Sequence, residues 1–134
     1  MRVLDNLVPE KVFYYFEELC NIPHGSTNTK AISDYCVNFA KERGLAYHQD
    51  PENNIIILKN GSKGYEDSKP VIIQGHLDMV CEKEADCTID FEKDGLSLAI
   101  DGDYIYAEGT TLGGDDGIAV AMALAILDDD TLEH

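Results

Sequence analysis

The sequence is short of several residue types and patterns, and each shortage excludes a class of protein. Its 134 residues include no tryptophan and only 10 basic residues against 26 acidic ones, a formal net charge of −16. Nucleic acids and anionic membrane surfaces attract positive charge, so neither is an expected partner. The longest apolar run, 118–127, is too short to span a bilayer. No basic and apolar leader opens the chain, so a cytoplasmic protein without a signal peptide is expected.

Several chemical motifs are also missing. The four cysteines form no Cys-x-x-Cys pair, which excludes a zinc ribbon and a thioredoxin-type redox motif. Without secretory features, these cysteines are expected to be reduced. No Gly-x-Ser-x-Gly element marks a hydrolase serine. No Gly-Lys-Ser or Gly-Lys-Thr follows the glycine-rich segment, so a phosphate-binding loop is disfavoured.

The acidic residues that are present are concentrated in the second part of the chain. Residues 1–75 carry ten acids and eight bases, whereas residues 76–134 carry sixteen acids and two bases. Such a block is either a solvated acidic surface or contains a cation site. The apolar fraction of 44% is near the globular average, which predicts a folded chain of about one domain.

Apolar spacing and turn residues predict an α/β layered fold. One helix is predicted from about Pro9 to Cys20, a second over 28–43 with Gly44 as its stop, and a third from about Asp116 to Leu127. The third has no broad polar face and is expected to be buried on nearly all sides. The predicted strands cover 45–49, 54–59 and 71–74, followed by a hairpin of 96–100 with 104–107.

A first candidate site follows the apolar run of 71–73. If that strand continues, its alternation places His76 and Asp78 on the same side. Ligands of open α/β sheets gather beyond the carboxyl ends of the strands. A neutral imidazole there can bind zinc, and a nearby carboxylate can orient the ring. The alternative is a structural histidine that is merely hydrogen-bonded.

A second candidate site is the glycine-rich segment 109–117, Gly-Thr-Thr-Leu-Gly-Gly-Asp-Asp-Gly. Its glycines let the backbone pass close to a ligand, and Asp115 and Asp116 stand just before the third helix. One aspartate would suffice as the helix N-cap, which leaves the other unexplained.

Together the two segments resemble the dizinc exopeptidases. The stretches QGHLDMV and DGDYIYAEGTTLGGDDGIAVAMALAIL, with the opening LVPEKVFYYFEELCNIPHGSTNT, resemble the aminoacyl-histidine dipeptidases (peptidase D, Xaa-His dipeptidases). The resemblance covers essentially the whole chain. It implies a three-layer, zinc-exopeptidase-like α/β catalytic domain. Residues 1–134 would be the N-terminal part of that domain, with an incomplete sheet and with the remainder and a lid domain absent.

The resemblance also implies roles for individual residues. His76 would ligate one zinc ion, and Asp115 would bridge two Zn²⁺ ions, which Mn²⁺ or Co²⁺ could replace. Asp78 would act in catalysis by orienting the His76 ring. The peptide bond between Asp115 and Asp116 would be cis, and relatives often have asparagine at position 116.

The implied activity is hydrolysis of dipeptides of the Xaa-His, carnosine-like type by metal-activated water. The general-base glutamate and the remaining ligands would lie beyond His134, so the chain alone is expected to be inactive. Two alternatives stay open: another member of the clan, such as a tripeptidase or deacylase, and a non-catalytic acidic module that binds cations or a basic partner. A third possibility is a folding fragment whose buried last helix and open sheet edge would favour self-association.

Overall fold

The computed structural model describes residues 2–134, which form three helices and two small antiparallel sheets. In chain order the elements are α1 (Glu10–Cys20), α2 (Lys30–Glu42), β1 (Ala46–Gln49), β2 (Ile55–Leu58), β3 (Leu98–Asp101), β4 (Tyr104–Ala107) and α3 (Gly114–Leu127). The predicted α/β class with an incomplete sheet is confirmed.

The first two helices follow the predicted apolar spacing. In α1, Phe16, Leu19 and Cys20 are buried, whereas Val12 and Phe13 are half-buried against the same core. Three- and four-residue spacing places these side chains on one face, which explains why a short helix is stable here. The bounds of α1 and α2 lie within two residues of those predicted.

The two sheets are separate antiparallel pairs. Strand β1 pairs with β2 in a register that sets Tyr47 opposite Ile57, and β3 pairs with β4 as a hairpin. Gly102 stands in the hairpin turn with φ +57°, as the Asp-Gly-Asp sequence predicted. The strand predictions at 45–49, 54–59, 96–100 and 104–107 are thus confirmed within two residues at their ends.

The predicted strand over 71–74 is wrong. Val71 and Ile72 are 85% and 88% exposed, and Ile73 is 51% exposed. The apolar pattern is that of a buried strand, but such a strand exists only when neighbouring strands satisfy its backbone groups. In the described part of the chain no strand pairs with this segment.

The expected burial of α3 on nearly all sides is also wrong. Val120 and Leu124 are buried in the common core, and the helix packs on α1. Met122 and Ile126 lie on the other side and are 48% and 43% exposed, since no other element covers that face in residues 2–134. None of the helices described is both long and apolar enough to cross a bilayer.

An ion-pair network joins the ends of the three helices. Arg43, just after α2, donates to one oxygen of the Asp128 carboxylate, and Lys11 in α1 lies 3.0 Å from the other. Partial burial opposes ionisation of Asp128, but hydrogen bonds from Arg43, Lys11 and Tyr15 outweigh it and lower its pKa to about 2. The network therefore fixes the end of α3 against the first two helices.

We expect Asp128→Asn to lower the free energy of unfolding by about 1–2 kcal/mol at pH 6, because charge-assisted hydrogen bonds are lost. A carboxylate with a lowered pKa stabilises the fold above its ordinary pKa of 3.8 and loses that effect as the pH falls towards about 2. Urea unfolding at pH 6 and pH 2 measures the difference. Asp130→Asn is the matched control, since that carboxylate is 95% exposed. An undiminished difference at pH 2 would contradict the assignment.

Candidate metal centre

His76 is the centre of the candidate site. Its Nε2 lies 3.1 Å from Oδ1 of Asp115. Its Nδ1 donates to the backbone carbonyl of Asp78 at 2.9 Å and lies 3.3 Å from Oδ1 of the same residue. The imidazole is half-exposed, so its free surface faces solvent. The sequence-predicted residues His76, Asp78 and Asp115 are therefore in one place.

The hydrogen bond to Asp115, together with that to the Asp78 carbonyl, raises the pKa of His76 above its ordinary value of 6.5. The pKa of Asp78 is lowered, and the nearby Ser26 hydroxyl is the largest cause. Asp78 is consequently ionised at neutral pH and can hold the Nδ1 proton of His76.

Asp115 and Asp116 stand at the kinked start of α3. Both have non-helical backbone angles, and the peptide bond between them is cis, as the resemblance implied. The N-cap of α3 as bounded here is Gly113, and no side chain caps the helix at that point. The hydrogen-bond partner of the Asp115 carboxylate is the His76 ring.

Two glycines allow the segments of the site to approach each other. A Cβ on Gly75 would lie 3.0 Å from Oδ2 of Asp116 and 3.3 Å from a methyl carbon of Val120. Gly113 has φ +70°, and a Cβ there would lie 3.0 Å from the side chain of Met79. A side chain at either position would require these neighbouring side chains to move by a few tenths of an ångström, and at Gly113 it would also have to adopt a positive φ.

The donor set fits a divalent transition metal. One ligand atom each from His76, Asp115 and Asp116 lie within 4.8 Å of one another. Imidazole nitrogen with carboxylate oxygen is a donor combination that zinc, manganese and cobalt accept. Asp116 is not among the ligands that the sequence predicts, although its position beside Asp115 is a signal for it.

Two cavities in the described part of the chain lie outside this donor set. One, of about 270 Å³, lies between α1 and α2 and is lined by Tyr14, Tyr35 and Arg43 among others. The second, of about 380 Å³, is lined by Ser26 and Met79 and so adjoins the Asp78 side of the site. The donors themselves lie on an open surface.

We expect Gly113→Ala to destabilise the chain more than Gly44→Ala. Both positions have positive φ, which an alanine adopts at a cost of roughly 1–2 kcal/mol. A Cβ at Gly44 meets no atom within 4 Å, whereas a Cβ at Gly113 must displace Met79. Urea unfolding of the two variants makes the comparison, and equal losses would show that the contact with Met79 imposes no constraint.

Comparison with known proteins agrees with the geometry of the site. Over all 134 residues the chain is 42% identical to the cytosol non-specific dipeptidase of Escherichia coli (strain K12), of which it covers 28%. It matches a crystal structure of aminoacylhistidine dipeptidase from Vibrio alginolyticus with a TM-score of 0.94 and 38% identity, over 98% of this chain and 27% of that one. No family model matches the chain. The similarity to the aminoacyl-histidine dipeptidases that the motifs indicate is therefore confirmed along the whole chain. The chain spans just over a quarter of the length of these two relatives.

Proposed function

We propose that residues 1–134 are the N-terminal part of the catalytic domain of a dipeptidase that hydrolyses Xaa-His dipeptides with two zinc ions. The observation that carries the proposal is the convergence of His76, Asp115 and Asp116 on one surface. The names of the two relatives support peptide hydrolysis, and the word cytosol in one of them supports a cytoplasmic location. A small peptide is the expected partner.

Each residue has a separate task in this proposal. Asp78 holds the Nδ1–H of His76, which leaves Nε2 as the ring atom free to bind metal once its proton is lost. Asp115 has a 95% exposed side chain and offers two oxygens, as expected of a bridging ligand. Asp116 adds a third donor. Divalent ions of this kind, when bound, supply Lewis-acid chemistry that polarises a peptide carbonyl and acidifies water.

These residues hold a metal but do not complete a catalytic site. Within residues 2–134 the site contains His76, Asp78, Asp115 and Asp116, and no further carboxylate that contacts them. A general base must take the proton of the attacking water. We place that glutamate and the remaining ligands in the rest of the catalytic domain, so the chain alone should bind metal without hydrolysing peptides.

The metal site is tested by three single substitutions that each alter one side chain. We expect His76→Ala and Asp115→Ala to weaken Zn²⁺ binding by about tenfold or more, because each removes a ligand from a small donor set. Asp103→Ala, in the exposed hairpin turn, removes the same charge as Asp115→Ala and should leave the affinity unchanged. Isothermal titration calorimetry measures all three.

The same titrations decide between this proposal and an acidic module that binds cations diffusely. In a diffuse module, Asp103→Ala and Asp115→Ala would have equal and small effects, because each changes only the net charge. That result would refute the metal centre.

The substrate assignment is tested with a protein that contains this chain together with the rest of the domain. We expect it to hydrolyse carnosine-like Xaa-His dipeptides in a zinc-dependent manner and to leave N-acylated amino acids intact. The 134-residue chain, assayed beside it, should show no hydrolysis. Cleavage of tripeptides or acylated amino acids in preference to dipeptides would replace this assignment with a tripeptidase or a deacylase.

A further inference from the structure

The two segments that carry the candidate ligands run beside each other beyond the ligands themselves. We refer to residues 76–84 as the histidine segment and residues 109–116 as the aspartate segment. The N–H of Glu84 donates to the carbonyl of Gly109, and the N–H of Thr111 donates to the carbonyl of Glu82, each at 2.9 Å. Lys83 and Thr110 form an antiparallel bridge between these bonds. The spacing of the segments is therefore fixed at the end away from His76.

The Thr111 side chain makes a second connection, nearer to the ligands. Its hydroxyl donates to the carbonyl of Val80 at 2.7 Å and accepts from the N–H of Glu82 at 3.2 Å. The carbonyl of Glu82, at 3.3 Å, is a more distant acceptor for the same single proton. One hydroxyl thus bonds to two backbone groups of the histidine segment.

These hydrogen bonds lie only a few residues from the candidate ligands along both segments. Val80 is two residues beyond Asp78, and Thr111 is four residues before Asp115. In the described part of the chain, His76 and Thr111 are the residues whose side chains hydrogen-bond across the two segments. The His76 contact joins the ligands to each other, which leaves the Thr111 hydroxyl as the side-chain link outside the donor set.

We propose that Thr111 is a positioning residue that sets the separation of His76 and Asp115 for metal binding. The proposal rests on the metal site proposed above. Loss of the hydroxyl leaves the Val80 carbonyl and the Glu82 N–H without this partner, while the backbone bond from Thr111 N–H to the Glu82 carbonyl remains. The part of the histidine segment between His76 and Glu82 can then move relative to the start of α3. Since metal affinity depends on ligand separation within tenths of an ångström, a small shift weakens binding while the remote core of α1 and α3 stays intact.

Three variants of the chain separate positioning from general stability. Thr111→Val has the same shape without the hydroxyl, and Thr111→Ser keeps the hydroxyl without the methyl group. Thr110→Val is the matched control, because the Thr110 hydroxyl donates to the carbonyl of its own neighbour, Thr111, at 3.0 Å and does not cross between the segments. Each variant is titrated with Zn²⁺ by calorimetry and with Co²⁺ by visible absorption, and its unfolding in urea is recorded.

We expect Thr111→Val to weaken Zn²⁺ binding by roughly 10-fold, the lower end of what is typical when a group supporting a metal ligand is removed. Its Co²⁺ absorption should also differ from that of the unsubstituted chain, since ligand geometry determines the intensity. Thr111→Ser and Thr110→Val should retain the affinity and the spectrum. Thr111→Ala replaces Thr111→Val if the valine variant does not fold, and the serine variant is then compared with it.

Three results of the Zn²⁺ titrations would overturn the proposal, each for a different reason. If His76→Ala leaves Zn²⁺ binding unchanged, the metal site itself is absent and this proposal is overturned with it. If Zn²⁺ binding depends on His76 but Thr111→Val binds as tightly as the unsubstituted chain, the positioning role alone is overturned. Equal losses in Thr111→Val and Thr110→Val would likewise contradict it, because the cross-segment hydroxyl would then have no specific effect.

Discussion

The contact between the His76 imidazole and the Asp115 carboxylate is the interaction on which the rest of this site depends. The two residues are separated by 38 intervening residues, yet Nε2 and Oδ1 lie 3.1 Å apart. A half-exposed imidazole and a 95% exposed carboxylate gain little stability from such a contact in water. Their proximity therefore reflects the backbone that carries them more than their mutual attraction.

That backbone is constrained from three sides. The Met79 N–H donates to the carbonyl of His24 and anchors the histidine segment to the loop after α1. Gly75 and Gly113 let the histidine segment lie against the start of α3 without steric conflict. The Thr111 hydroxyl links the two segments beyond the ligands. The core holds these constraints in place, because α3 packs on α1 and Asp128 connects its end to Arg43.

Local sequence patterns correctly predicted the elements that depend mainly on residues close together in the chain. The spacing of Phe16, Leu19 and Cys20 predicted α1, and Asp-Gly-Asp predicted the hairpin of β3 and β4. The segment 71–74 and the outer face of α3 were predicted wrongly for one shared reason. Their apolar side chains indicate burial, but burial requires a neighbouring element, and the described part of the chain supplies none on those sides.

The same distinction between local and remote partners applies to the site. His76, Asp78 and Asp115 could be proposed from short motifs, and the adjacent Asp116 had a visible signal. Ser26 and Thr111 could not, because their contacts with Asp78, Val80 and Glu82 span long stretches of chain and involve backbone groups that leave no mark on the sequence.

Zinc-edge anomalous diffraction from crystals of the chain grown with Zn²⁺ tests the central claim most directly. The account predicts an anomalous peak about 2.0–2.2 Å from Nε2 of His76 and from a carboxylate oxygen of Asp115, the usual zinc–ligand distances. A structure in which zinc binds elsewhere on the acidic surface, or in which these two side chains point away from each other, would contradict it.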